Sequence, residues 1–265
     1  MLLETLEDSL SGSAKIGYDS RESASRRTAN NTDRTTQTKG PMSTISTNTL
    51  YLVRHGENLA NITKEFSYKL VDYSLTPKGV LQAEQTSIFL KDLPLDAIYA
   101  SPLKRAAETG EIIARPHHLP VEIVEDFREI NVGDLEKMAP TLENWNRYGQ
   151  IYTAWANGHP EERFPGGENF LELIERSRRG LLTAIHERSN QRILIAAHGG
   201  IFIKLVNYFC REANAQPDYR LMHNCSITEI ELTNNNGEMH GELRAWASIS
   251  HLSGEAADVI ELPPI

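Results

Sequence analysis

Arg54, His55, Gly56 and Glu57 stand together directly after the apolar run Thr49-Leu50-Tyr51-Leu52-Val53. A histidine there can be a nucleophile, a base or a metal ligand, or it can be satisfied by backbone at a strand end. The guanidinium of Arg54 argues against a cation and suits a phosphate, whose oxygens a planar fork binds in pairs. Two more groups of this kind follow. Arg105 comes shortly after Ser101-Pro102, and His198-Gly199-Gly200 follows Arg192-Ile193-Leu194-Ile195-Ala196-Ala197 without a break. Two arginines and two histidines converging on one point favour a tetrahedral dianion. A glycine after each histidine lets backbone approach a ligand closely.

Convergence requires three neighbouring parallel strands whose carboxyl ends face one crevice, the place where open α/β sheets bind ligands. From residue 49 onward apolar runs alternate with amphipathic helical patterns, as in a sheet flanked by helices. Strands are expected at 49–53, 96–100, 121–124 and 192–197, with half-exposed strands at 226–232 and 242–248 making one edge antiparallel or mixed. Thr76 as N-cap and Pro77 as first helical residue open a helix running to about Leu93. Ser101-Pro102 repeats that signal for a helix ending near Ala114. A helical stretch over 141–156, carrying Trp145, Tyr148, Tyr152 and Trp155, reads as a cap inserted at about 137–165. Residues 168–188 form a long amphipathic helix. The expected fold is α/β, a three-layer α/β/α arrangement with a mostly parallel central sheet and a small helical cap.

Residues 1–47 are dominated by Ser, Thr, Asn and Arg, and have too little apolar surface to offset the entropy of ordering. They are expected to be a disordered extension or leader, with Met42 an alternative start. Asp19, Glu22 and Asp33 speak against an organellar presequence. Residues 48–252 then form the catalytic domain and 253–265 a C-terminal tail. The net charge of −9 offers no general attraction to nucleic acid or anionic lipid, so an anion must be caught by local positive charge. Cys210 and Cys225 are too few for a disulfide framework and lie in no metal-ligand spacing. With no apolar run of membrane-spanning length, a cytoplasmic protein is expected.

Arg54-His55-Gly56-Glu57, Ser101-Pro102-Leu103-Lys104-Arg105-Ala106, Glu129 and His198-Gly199-Gly200 resemble the histidine phosphatase superfamily, the phosphoglycerate mutase-like proteins. Asn61, Leu75-Thr76-Pro77-Lys78-Gly79 and Gln82-Ala83 fit the same pattern, and the similarity runs from about residue 49 to 250. The resemblance implies that His55 attacks phosphorus to give a phosphohistidine and that Arg54 and Arg105 bind the equatorial oxygens. It implies that His198 donates to the same group, with Asn61 a further donor. Glu129 becomes the acid that protonates the leaving oxygen and then the base that activates water. Glu57 reads as a supporting or surface carboxylate, Glu168 as a structural anchor, and His117-His118 as a solvated loop. No cofactor and no metal are implied.

Mutases that resemble phosphoglycerate mutase carry a long basic insertion after the acid loop. Here about 35 residues separate Glu129 from Pro165, offering Lys137, Arg147 and Arg163 against several acids. The Gly-Trp usual after Phe-Ser in mutases is also missing, since the chain reads Phe66-Ser67-Tyr68-Lys69. Both departures favour hydrolysis of a small phosphorylated metabolite by a metal-independent phosphatase, a monomer or homodimer without nucleic-acid or membrane partners. A mutase, or a phosphate- or phosphoprotein-binding module without turnover, are the alternatives. Tyr68, Lys69, Trp145, Tyr148, Tyr152 and Trp155 are candidates to line the pocket beside the phosphate, or else to pack the cap.

Overall fold

The computed structural model describes residues 45–210 and 222–259. The disorder expected of the leader therefore concerns residues that, up to 44, lie outside the described ones. One sheet runs in the order β3-β2-β4-β1-β5-β6, made of β1 (Ile45–Arg54), β2 (Ala97–Ala100), β3 (Val121–Ile123), β4 (Arg192–Ala197), β5 (Ile227–Asn235) and β6 (Glu238–Ser248). The first four strands in that order are parallel, and β5 and β6 add an antiparallel edge. The mostly parallel sheet is as expected, and β4 is flanked on both sides. Its Ile193, Leu194 and Ile195 are wholly buried, each contributing about 2 kcal/mol by removing apolar area from water.

Helices α2 (Pro77–Leu90) and α3 (Lys104–Ala114) cover one face, where Leu90, Ile113 and Ala114 meet Val53, Ile98, Ala100, Leu194 and Ala196. Helices α5 (Phe170–Ile185) and α6 (Gly199–Phe209) cover the other, bringing Leu173, Leu181, Phe202 and Leu205 against Leu50, Leu52, Tyr99, Ile193 and Ile195. Alternate residues of each strand thus feed opposite layers. The short α1 (Leu59–Thr63) and the cap helix α4 (Leu142–Ala156) complete the α-helices among the described residues. Thr76 caps α2 with its hydroxyl on Gly79 N–H, and Asn169 and Glu172 form a reciprocal capping box on α5.

Three expectations shift. The boundary at residue 48 falls inside a strand, because Ile45, Ser46 and Thr47 pair with Asn235, Asn234 and Thr233. Residues 253–259 are not a separate tail as far as they are described. A 3-10 turn at Gly254–Ala257 buries Ala256, and Gln82 Nε2 donates to the Ala256 carbonyl (3.1 Å). Finally, Ser101 does not cap α3: Leu103 occupies the N-cap position and makes no side-chain cap. The hydroxyl of Ser101 is used elsewhere.

Candidate active site

Strand register brings the site together. Arg54 pairs with Ala197 and Ala100 with Ala196, so the carboxyl ends of β1, β4 and β2 are level and the next residues share one crevice. The rings of His55 and His198 lie 5.2 Å apart. Both are buried, as is Arg105, while Arg54 and Glu129 are partly buried. The sheet thus unites Arg54, His55, Arg105 and His198; Glu129 and Asn61 join Arg54, His55 and Arg105 in lining a cleft of about 190 Å³, with His198 wholly buried behind His55.

The hydrogen bonds of His55 define its proton. Nδ1 lies 2.7 Å from the Gly56 carbonyl, which can only accept, so Nδ1 carries the hydrogen. Nε2 accepts from Arg105 Nε at 3.1 Å and therefore presents a lone pair. Burial, followed by the charges of Arg105 and Arg54, holds this imidazole well below the usual histidine range. His198 is held neutral in the same way, by burial first and then Arg105. Its Nε2 lies 2.7 Å from Ser101 Oγ. That oxygen also accepts from Leu103 N–H (3.3 Å), and its proton has no other acceptor among the described residues, so we assign the Ser101 proton to His198 Nε2 and the ring hydrogen to Nδ1. Nδ1 is buried without a partner among the described residues.

The arginines differ in how they are held. Arg105 donates through Nη1 to Ser67 Oγ (2.8 Å) and through Nη2 to the Ser67 carbonyl (2.9 Å). Burial lowers it to about 10, with Glu129 and Asp72 opposing that shift. Arg54 donates through Nη1 to the Met222 carbonyl, while its Nε is buried and without a partner among the described residues. Asn58 caps α1 with its oxygen on Asn61 N–H (3.1 Å), and its Nδ2 is likewise unpartnered. Unsatisfied buried donors normally cost a protein stability. Here Arg54 and Asn58 both belong to the lining of the cleft.

Glu129 lies across the amino end of α6. Oε1 accepts from Ile130 N–H (2.8 Å) and Ile201 N–H (2.9 Å), and Oε2 from Gly200 N–H (3.0 Å). Of the roughly four lone-pair positions on a carboxylate, one on Oε2 is left open. Gly200 permits this approach, since a Cβ there would sit 2.6 Å from Oε1. A second close passage joins the loop after β1 to the first turn of α2, where a Cβ on Gly56 would meet the Gly79 carbonyl at 2.5 Å.

The supporting residues sort themselves by distance. Glu57 accepts from Thr76 Oγ1 (2.8 Å) and pairs with Lys78 (3.4 Å), which fixes the start of α2. Glu168 is gripped by Arg176, whose other donors hold the carbonyls of Asp126, Arg128 and Glu129. Of the aromatic candidates, Trp145 and Tyr148 line the cleft beside Phe66. Tyr152 and Trp155 turn inward instead, where Lys204 Nζ lies 3.3 Å above the Tyr152 ring. Tyr68 and Lys69 are not in the lining, and sit in a loop bound to Glu136.

Several contributors were given no role from the sequence, although Gln82 lies in a stretch that fits the family pattern. Asn224 Nδ2 donates to the His55 carbonyl (2.9 Å) and to Asn61 Oδ1 (3.0 Å), orienting that side chain from 163 positions away. Gln82 Oε1 accepts from Glu57 N–H (2.9 Å) while its other end reaches Ala256. Ile249, Leu252 and Ala257 complete the wall of the cleft. Among the described residues, no group of three or more His, Cys, Asp or Glu could hold a metal, and no helix is long and apolar enough to cross a membrane.

This fold is that of an enzyme family of phosphatases and mutases. The model of the histidine phosphatase superfamily (branch 1) matches residues 50–242, and the chain belongs to that superfamily, an enzyme family of phosphatases and mutases. It is 34% identical over 203 residues to a protein of Bacillus subtilis (strain 168) named uncharacterized phosphatase PhoE, across 77% of this chain and 96% of that one. The probable phosphoglycerate mutase GpmB of Erwinia tasmaniensis is 32% identical over 219 residues, across 80% and 98%. Among solved structures, Bacillus stearothermophilus YhfR superposes with a TM-score of 0.63 at 29% identity, covering 77% of this chain and 98% of its own.

Proposed function

We propose that the protein hydrolyses the phosphomonoester of a small phosphorylated metabolite, without a metal, through a phosphohistidine on His55. The observation that carries this reading is the state of His55: Nδ1–H is tied to the Gly56 carbonyl and the Nε2 lone pair is uncharged among two arginines. A neutral imidazole fixed in one tautomer is a ready nucleophile. As Arg105 Nε–H turns from His55 Nε2 to a phosphoryl oxygen, the freed Nε2 lone pair attacks phosphorus and the bond to the leaving oxygen breaks, that oxygen taking a proton held on Glu129 Oε2. Arg54 Nε, Arg105, Asn61 and the Nδ1–H of His198 meet the phosphoryl oxygens, where negative charge must be stabilised during transfer. Glu129 then draws a proton from water, whose oxygen attacks phosphorus. The P–N bond breaks with its electron pair returning to Nε2, and inorganic phosphate leaves.

The lining beyond the clamp favours water over a second phosphorylated ligand as acceptor. Lys64 and His223 are balanced there by Glu65 and Asp258, which is a poor cradle for a bisphosphate. The flanking arginines also repel a cation. His55→Ala is expected to reduce hydrolysis of p-nitrophenyl phosphate by at least ~10³-fold, and chelators to leave the wild-type rate unchanged. Activity persisting in the variant refutes the nucleophile. Interconversion of phosphoglycerate isomers faster than phosphate release replaces the reading by the mutase, and saturable phosphate-ester binding with no phosphoenzyme replaces it by the binding module.

A further inference from the structure

We propose that Glu136 is a positioning residue for Arg105, acting through the backbone of residues 68–71 and through Ser67. The inference rests on the reading that Arg105 binds the transferred phosphoryl group. Glu136 lies in the 3-10 turn Gly133–Lys137, beyond the acid loop, with its side chain buried. Its Oε1 accepts from four successive main-chain N–H groups, those of Tyr68 (2.6 Å), Lys69 (2.5 Å), Leu70 (2.8 Å) and Val71 (3.2 Å). Successive N–H groups turned on one point form a nest for an anion. Glu136 fills it with a carboxylate from the protein itself, and no salt bridge competes for that carboxylate among the described residues.

What the nest supports is the head of Arg105. Ser67 adjoins the first nest residue, and its hydroxyl also donates to the Val71 carbonyl at 2.5 Å, closing the loop on itself. The hydroxyl and carbonyl of Ser67 receive both terminal nitrogens of Arg105, leaving Nε for His55. At the other end of the loop Asp72 Oδ1 accepts from Lys104 N–H (2.9 Å), the residue before Arg105. The loop therefore holds Arg105 by its guanidinium and α3 by the backbone of the preceding Lys104. Without the carboxylate, four converging N–H dipoles repel one another and the Ser67 acceptors lose their place. Arg105 then keeps a defined contact only with His55.

The test is a double-mutant cycle between Glu136→Ala and Arg105→Ala. The readouts are kcat per phosphorylatable site with p-nitrophenyl phosphate and the affinity for inorganic phosphate by calorimetry. Glu136→Ala is expected to lower kcat and phosphate affinity about ten-fold in the wild-type background and less than about two-fold when Arg105 is already alanine. Glu136→Gln, which keeps the acceptor but not the charge, is expected to recover part of the loss. Equal losses in both backgrounds, or a lower folded fraction with wild-type kcat per site, overturn the proposal. If Glu136→Ala does not fold, Glu136→Gln carries the same cycle, and no loss with it counts equally against the idea. Phosphate binding needs no turnover, so the calorimetric arm stays decisive even if hydrolysis itself is refuted by His55→Ala.

Discussion

Gly200→Ala, read across a series of leaving groups, tests the acid role of Glu129. A Cβ at residue 200 would lie 2.6 Å from Glu129 Oε1 and 3.0 Å from the Ile130 side chain, whereas carbon and oxygen normally approach no closer than about 3.3 Å. The carboxylate must withdraw by about 0.7 Å, stretching the bonds that Gly200 and Ile201 N–H now make to it. Charge-assisted hydrogen bonds contribute about 1.5–3 kcal/mol each. Loss of about 2 kcal/mol of placement corresponds to about a 30-fold fall in rate. Alanine meanwhile adds helix propensity to α6, worth about 0.5 kcal/mol, which offsets only part of that loss, so the melting temperature is expected to fall by a few degrees while the protein stays folded at assay temperature. The assay is a series of phosphate esters of increasing leaving-group basicity. An alkyl alcohol needs a proton as it departs and p-nitrophenolate does not, so the 30-fold loss is expected with alkyl esters and only a few-fold loss with the aryl ester. A uniform loss across the series refutes the assignment of Glu129 as acid, and no loss at all refutes the geometry.

Stability has its own pH signature. His55 and His198 are both held well below the histidine range, by burial first and then by Arg105. Below about pH 6.5 the unfolded chain takes up protons that these native imidazoles refuse, so stability falls as pH drops through that value. The urea midpoint is expected to be lower at pH 5 than at pH 7.5, and a midpoint that is flat or rises toward acid refutes this. Arg176→Ala strands the buried carboxylate of Glu168 and frees three carbonyls of the acid loop. A loss of about 3–5 kcal/mol by urea denaturation is expected, with part of it restored when Glu168→Gln is added. Additive losses in the pair refute that account.

Legibility followed the range of the interactions. The strands β1, β2 and β4 and the cap of α2 could be read because apolar runs and a Thr-Pro pair are local signals. Their level ends followed from the parallel arrangement, which is why Arg54, His55 and His198 could be placed in one crevice. Ser101-Pro102 misled because a serine hydroxyl serves a helix end or a neighbouring side chain equally well, and here His198 on another strand claims it. Asn224, Ser67 and Glu136 left no trace because their partners are backbone atoms or residues far along the chain, and neither pattern nor propensity reports such pairings. In the cap, Trp145 and Tyr152 belong to one amphipathic helix, and the sequence could not say which aromatic faced the cleft and which faced Lys204.

Gln82 has a consequence for how such a molecule can change over generations. It joins the loop after His55 to the C-terminal wall of the cleft, yet both of its partners are main-chain atoms, Glu57 N–H and the Ala256 carbonyl. The exposed wall side chains of Asp258 and Val259 can therefore be exchanged without disturbing the link, while Leu252 and Ala256 stay packed in the core. Divergence is free to rewrite one wall of the cleft while the chemistry at the strand ends is inherited intact.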